Sequence, residues 1–215
     1  MQDAFPSFVE PTFATAILQR AISWPLVLRE RIIQVMAALI QGRRVNGFHG
    51  TNIDRAKLIL RHGFLLSQNG DDWLGDGVYF WEETPRRAQW WARQIHGEET
   101  AVIGSRLLLY HCMDLSEHNW QGFLTDIYQA FADGRRHSGR PLPSQRPTIG
   151  PHPMDCVIVN QAIAELRARG VAIFAVRSAF RSGRELWPQS AFHHHDHVQI
   201  AIRNPSLILS RQYVM

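Results

Sequence analysis

Two short stretches carry the residue types that could do chemistry. In Asn46-Gly47-Phe48-His49-Gly50-Thr51, an apolar strand end at Val45 and Phe48 runs into His-Gly-Thr and then into a helical segment. Imidazole can accept or donate a hydrogen bond, and a glycine beside it lets the backbone come close to a ligand. In Leu74-Gly75-Asp76-Gly77-Val78-Tyr79-Phe80, a glycine-rich turn opens a strand that bears an aromatic ring. A ligand cleft between these two stretches is the expectation around which the rest of the chain is arranged.

A third cluster is His193-His194-His195-Asp196-His197. Imidazoles and a carboxylate this dense can bind zinc, but neighbours in a strand point to opposite faces and do not easily share one tetrahedral ion. The expectation is therefore no metal, and an exposed lead-in loop with one histidine near the cleft, His195 or His197, able to act as a general base.

The composition bounds the class. The chain has 215 residues with 45% hydrophobic content, enough for one sizeable core. Arg29, Glu30 and Arg31 interrupt the N-terminal apolar run, so no membrane span is expected. Asp3, Pro6, Glu10 and Pro11 break any signal-peptide pattern. Cys112 and Cys156 are the only cysteines, too few for a disulfide scaffold, and a reducing cytoplasm is the expected location. The formal charge is +4 and Lys57 is the only lysine. Arginine favours phosphate contacts, so a nucleic-acid or dinucleotide partner is one reading and ordinary surface charge the other.

The elements that must position these residues follow from periodicity and punctuation. Residues 1–44 read as an N-terminal helical extension: a short helix after Pro11, then a longer one from Pro25 to Arg43 whose thin polar face packs on the main domain or receives a partner protein. Asn52 caps a helix that Gly63 ends. Phe64–Leu66 and Gly77–Trp81 read as strands. Thr84-Pro85 starts a helix to about His96, with Ala88, Trp91, Ala92 and Ile95 on one face. Ala101–Cys112 is a strand and Phe123–Ala132 a helix. Residues 133–153, with five prolines and Arg135, Arg136, Arg140 and Arg146, read as a mobile basic loop, target-binding or merely solvated. A helix over Asp155–Arg169, a buried strand over Val171–Val176, a hinge at Arg181-Ser182-Gly183, a strand over His197–Arg203 and a further one at Leu207–Leu209 complete the expectation. In the strand near the C-terminus, Val198, Ile200 and Ile202 form the apolar face and His197, Gln199 and Ala201 face the cleft, where small Ala201 leaves room for a ligand.

His49-Gly50-Thr51, the Gly75-x-Gly77-Val78-Tyr79-Phe80 turn, Ala88 with Trp90 on the next helix, and Gln199-Ile200-Ala201-Ile202 come in an order and spacing that resembles the ADP-ribosyltransferases of the poly(ADP-ribose) polymerase and diphtheria-toxin type. The chain looks most like a small bacterial branch of that group, and the resemblance spans Val45 to Leu209. Each residue also has a plain structural reading: a satisfied histidine, core aromatics, glycines that serve only the turn.

The resemblance implies an α+β catalytic domain over 45–215 with a split, bent antiparallel β-sheet, and NAD as co-substrate. It implies that His49 bonds the adenosine ribose and that the Gly50 backbone meets the nicotinamide carboxamide. Tyr79 and Trp90 flank the nicotinamide ring, and Thr51 lies near the ribose. The family's best-known members carry a glutamate where this chain has Gln199. An amide keeps an acceptor but loses the charge, and losing one such stabiliser costs about 10²–10³ in rate; Asp196 is the nearest acid but has the wrong parity. The implied activity is mono-ADP-ribosyl transfer by His49, Tyr79 and Gln199 to a macromolecular acceptor, nucleic acid (RNA or single-stranded DNA) before protein. The family further implies a toxin–antitoxin, phage-defence or effector setting, with an antitoxin or chaperone at the N-terminal helices. An RNA 2′-phosphotransferase-like NAD enzyme and a degenerate NAD-binding module are the alternatives.

Overall fold

The computed structural model describes residues 42–145 and 151–215, together with 30, 32, 33, 36 and 39. The short helix after Pro11, most of the Pro25–Arg43 helix and residues 146–150 of the basic loop lie outside the described residues. Ile32 and Leu39 are buried in the core.

The chain is α+β. In order it forms β1 (Arg43–Asn52), α1 (Ile53–His62), β2 (Val78–Glu82), α2 (Pro85–His96), β3 (Thr100–Leu109), β4 (Cys112–Asp114), α3 (His118–His137), α4 (Pro153–Ala168), β5 (Ala175–Phe180), β6 (His197–Ile202), a 3₁₀ turn (Pro205–Leu207) and β7 (Gln212–Tyr213). The sheet order is β4-β5-β6-β2-β1-β3-β7. It is mixed rather than antiparallel throughout, because β4 and β5 pair in parallel. A parallel neighbour needs a long crossover, and α3 and α4 supply it.

Two wings make up the sheet. β1 pairs with β3 along its whole length, and β2 pairs with β6. Between the wings, β1 and β2 share only Gly47↔Glu82 and Phe48↔Trp81. Beyond Phe48 the ladder stops, so His49–Asn52 run along β3 alone. Each wing buries apolar side chains on both faces. Trp120, Phe123, Ile163 and Leu166 of α3 and α4 cover Met113, Val176 and Ala201. On the opposite face, Val78, Phe80, Ile103, Leu107, Ile200 and Ile202 pack with Ala56 of α1 and Phe64.

Several boundaries differ from the sequence expectation. Phe64–Leu66 forms no strand; Phe64 instead packs into the core against His49 and Phe80. Only Ser67 and Gly77 exchange backbone bonds there, at 2.9 and 3.0 Å. Asp133–His137 extend α3, with Arg136 paired to Asp133 at 2.6 Å and basic residues at the carbonyl end of the helix dipole. The far end of the basic loop is also tied down. Gln145 Oε1 accepts from the Met154 and Asp155 amides at 2.9 and 3.0 Å, and His152 is buried. The strand expected at Val171–Val176 lies at Ala175–Phe180. Asn204-Pro205-Ser206 turns Leu207 into a 3₁₀ helix, so the last strand is Gln212–Tyr213 on β3. On α2, Ala88 and Ala92 are buried as expected, but Trp91 and Ile95 are exposed.

Small residues set how closely α2 lies on β1. A Cβ added to Gly50 would sit 2.2 Å from the Ala88 carbonyl oxygen, which is helix backbone and cannot rotate aside. Gly50→Ala is therefore expected to destabilise the fold by about 1–3 kcal/mol. In α3, exposed Gly134 has open space at its Cβ position, and Gly134→Ala should stabilise by about 0.5–1 kcal/mol. Urea denaturation of the two variants beside the parent checks both signs.

Candidate functional site

The residues after Phe48 are positioned by the parting of β1 from β2. The His49 Nδ1–H donates across the gap to the Tyr79 carbonyl at 2.8 Å, and its ring meets Phe64 and Phe80 edge-on, with centroids 5.2 and 6.0 Å apart. Burial holds this imidazole below its ordinary pKa, outweighing the bond to Tyr79. A neutral ring with its proton on Nδ1 has an unprotonated Nε2, which is an acceptor for a hydroxyl. Gly50 and Thr51 are buried behind it, and Asn52 Oδ1 caps α1 by accepting from the Arg55 amide at 2.8 Å.

Tyr79 on β2 is held at both functions of its hydroxyl. It accepts from the Leu74 amide at 2.9 Å and donates to the Gly75 carbonyl at 2.8 Å. Burial, with Asp72 nearby, keeps the phenol well above its ordinary pKa, so Tyr79 is a fixed ring and not an acid–base group. The turn it grips is clamped from behind. Gly75 has φ +73°, and Asn160 Oδ1 would lie 2.6 Å from its Cβ. Asn160 also accepts from the Asp76 amide at 3.1 Å, while Arg203 donates to the Asp76 carbonyl at 2.7 Å.

Gln199 shares a face with Tyr79 and lies opposite Trp81 in the ladder, which in turn lies opposite Phe48. Its Oε1 accepts from the Trp73 indole at 2.5 Å. An indole N–H only donates, so the atom it meets must be the amide oxygen and Nε2 is left as the outward group. The expected acceptor at Gln199 is therefore chiefly a donor. Ala201 does not leave room for a ligand: it is fully buried in the core under α3 and α4.

Tyr79 and Gln199 share one face of the sheet, His49 packs on Phe80 and Phe64 on the other, and Trp90 stands apart from all three. Its ring carries the Arg87 guanidinium 4.2 Å from its centroid and the His195 ring at 4.6 Å. Trp90, Arg86, Arg87, Glu83 and His194–His197 line an open cleft of about 540 Å³; His49, Tyr79 and Gln199 do not line it. The histidine run is the paired base of a ribbon. The His195 amide bonds the Ser182 carbonyl, and the His194 amide bonds the Arg184 carbonyl, both at 3.0 Å. His197 packs between Trp81 and Phe180. Among the described residues no three His, Cys, Asp or Glu side chains come together as a metal site. No helix among them is long and apolar enough to cross a membrane.

Sequence reasoning missed Trp73, Asn160, Arg203 and Arg87. Arg87 was within reach, because a residue three before Trp90 shares its helix face. Asn160 and Arg203 had no local signal. Matched against models of known protein families the chain finds none, and matched against curated proteins it finds none.

His49 and His197 are both held below the ordinary imidazole pKa, first of all by burial. Just below pH ~6.5 the unfolded chain therefore binds more protons than the folded one. Stability should rise with pH through that window and level off above it. Urea midpoints measured from about pH 5 to 7.5 check this, and the slope should be shallower in His49→Gln; equal midpoints across the range would refute it.

Proposed function

We propose that the protein is an NAD-dependent mono-ADP-ribosyltransferase acting on a macromolecular acceptor, nucleic acid before protein. The observation that carries this reading is the parting of β1 from β2 immediately after Phe48↔Trp81. It leaves a neutral imidazole acceptor (His49) at the gap with the Tyr79 carbonyl across it, while the pinned Tyr79 ring and Gln199 lie on the other face of the sheet.

In this reading His49 Nε2 accepts a hydroxyl of the adenosine ribose, and the Gly50 backbone meets the carboxamide. Tyr79 offers a ring already fixed in orientation, so stacking on it loses little rotational freedom. Thr51 lies toward the ribose. Trp90 reaches the nicotinamide only if Arg87 or His195 leaves its face. The C1′–N1 bond breaks with its electron pair going to the ring nitrogen, so nicotinamide departs neutral. The acceptor's lone pair forms the new bond at C1′, and its proton passes to a base, for which neutral His195 or His197 is placed on the cleft. Gln199 bonds the nicotinamide-ribose 2′-oxygen through Nε2 and supplies no charge, which favours single-unit transfer over chain growth.

A cytoplasmic toxin or phage-defence role, with an antitoxin or chaperone at the N-terminal helices, rests on the resemblance alone. An RNA 2′-phosphotransferase-like reaction is the second reading, and the unpaired guanidinium of Arg87 in the cleft favours it.

Incubation with labelled NAD plus RNA, single-stranded DNA or a protein mixture tests the proposal. Label should appear on one acceptor class, and His49→Ala and Gln199→Ala should each lower the rate by about 10²-fold while the fold, followed by circular dichroism, persists. Loss of a 2′-phosphate from RNA would support the second reading. No NAD consumption with any acceptor would leave a binding module.

A further inference from the structure

The cleft beside Trp90 holds more donors than acceptors. Arg87 Nε and Nη1 are buried and meet no hydrogen-bond acceptor among the described residues, and the same is true of Trp81 Nε1. Buried N–H groups normally find acceptors, and one left bare is destabilising. Several on neighbouring side chains call for an acceptor supplied from outside. Trp81 and His197 are neighbours, with ring centroids 6.5 Å apart, and Arg87 and His197 line the same cleft.

The carboxylates that could satisfy them are already engaged. Glu83, held at φ +54°, takes the Asn46 amide on Oε1 at 2.8 Å and the Asn46 side chain on Oε2 at 3.1 Å. Asp196 takes the Ser182 amide at 3.1 Å and the His193 amide at 3.0 Å. What remains facing the cleft is the Arg87 fork, Arg86, and the rings of His194, His195 and His197. His197 Nδ1–H donates to the His195 carbonyl at 2.6 Å, which leaves Nε2 of the neutral ring an acceptor and the Arg87 fork the donor for an anion.

We propose that Arg87, beside Trp90, forms a binding site for a phosphate group. A guanidinium fork matches two oxygens of a phosphate, and Trp90 next to it is a flat ring on which the attached base or nucleoside can lie. The phosphate of a nucleic-acid strand and the pyrophosphate of NAD present the same chemistry to this site, and the site does not depend on the transferase reading.

The test is binding, not turnover. Inorganic phosphate, NAD, and a single-stranded oligonucleotide with and without a terminal phosphate are titrated against the parent, Arg87→Met and Arg93→Gln, with tryptophan fluorescence and thermal melting as readouts. The parent should bind at least one phosphate-bearing probe and melt higher in its presence. Arg87→Met should weaken that binding about tenfold or more, and Arg93→Gln, which changes an exposed arginine further along α2, should not. Loss for NAD alone identifies the pyrophosphate as the source; loss for the oligonucleotide alone identifies the strand. Unchanged affinity of Arg87→Met for every probe, or no binding of any probe by the parent, overturns the proposal.

Discussion

Everything near the candidate site depends on one narrow joint. Two residue pairs connect β1 to β2, and a ladder that short would not hold two wings together by backbone bonds alone. Side chains close it. Glu82, opposite Gly47, takes Arg43 of β1 at 2.7 Å and Arg177 of β5 at 2.5 Å, and Arg177 goes on to Asp114 of β4 at 3.0 Å. One residue later the Glu83 carboxylate grips Asn46. Charges therefore span the sheet just where the backbone pairing is thinnest. Each is paired, which a largely buried charge requires.

That joint explains why the gap beyond it has a fixed shape. With β1 pinned at Phe48 and drawn along β3, His49 meets β2 only through its ring. The bond to the Tyr79 carbonyl sets the tautomer, burial sets the charge state, and Phe64 and Phe80 set the ring's angle. Tyr79 is fixed in turn by the loop it anchors, and that loop by Asn160 and Arg203. A group held in this way needs little reorganisation when a ligand arrives.

The legible part of this arrangement was local. Asn52 as a cap, Pro85 at a helix start and Gly75 in a turn are written in single residues, and period-two runs marked β2 and β6. Strand ends were less legible because backbone partners, not propensity, decide them. Phe64–Leu66 has the composition of a strand, but Phe64 is taken up by the core beside His49 and Phe80 and pairing begins and ends at Ser67 with Gly77. Ala201 was misread for a related reason: strand parity gives the face but not what covers it, and α3 and α4 come from a distant part of the chain. The partners of Gln199 and Gly75 were illegible, since Trp73 and Asn160 reach them across 126 and about 85 positions.

The amide at Gln199 and the guanidinium at Arg87 bear on the same question of charge. If a ribose cation forms beside Gln199, its surroundings include no free carboxylate. Glu83 is taken by the backbone and side-chain amides of Asn46, Asp196 by two backbone amides, and Trp73 takes the one amide oxygen of Gln199 that carries partial negative charge. Arg87 adds a positive charge in the adjoining open cleft, where solvent screens it, and a phosphate seated on Arg87 neutralises it. Charge near Gln199 would then be set by what occupies that cleft and not by a carboxylate of the strand.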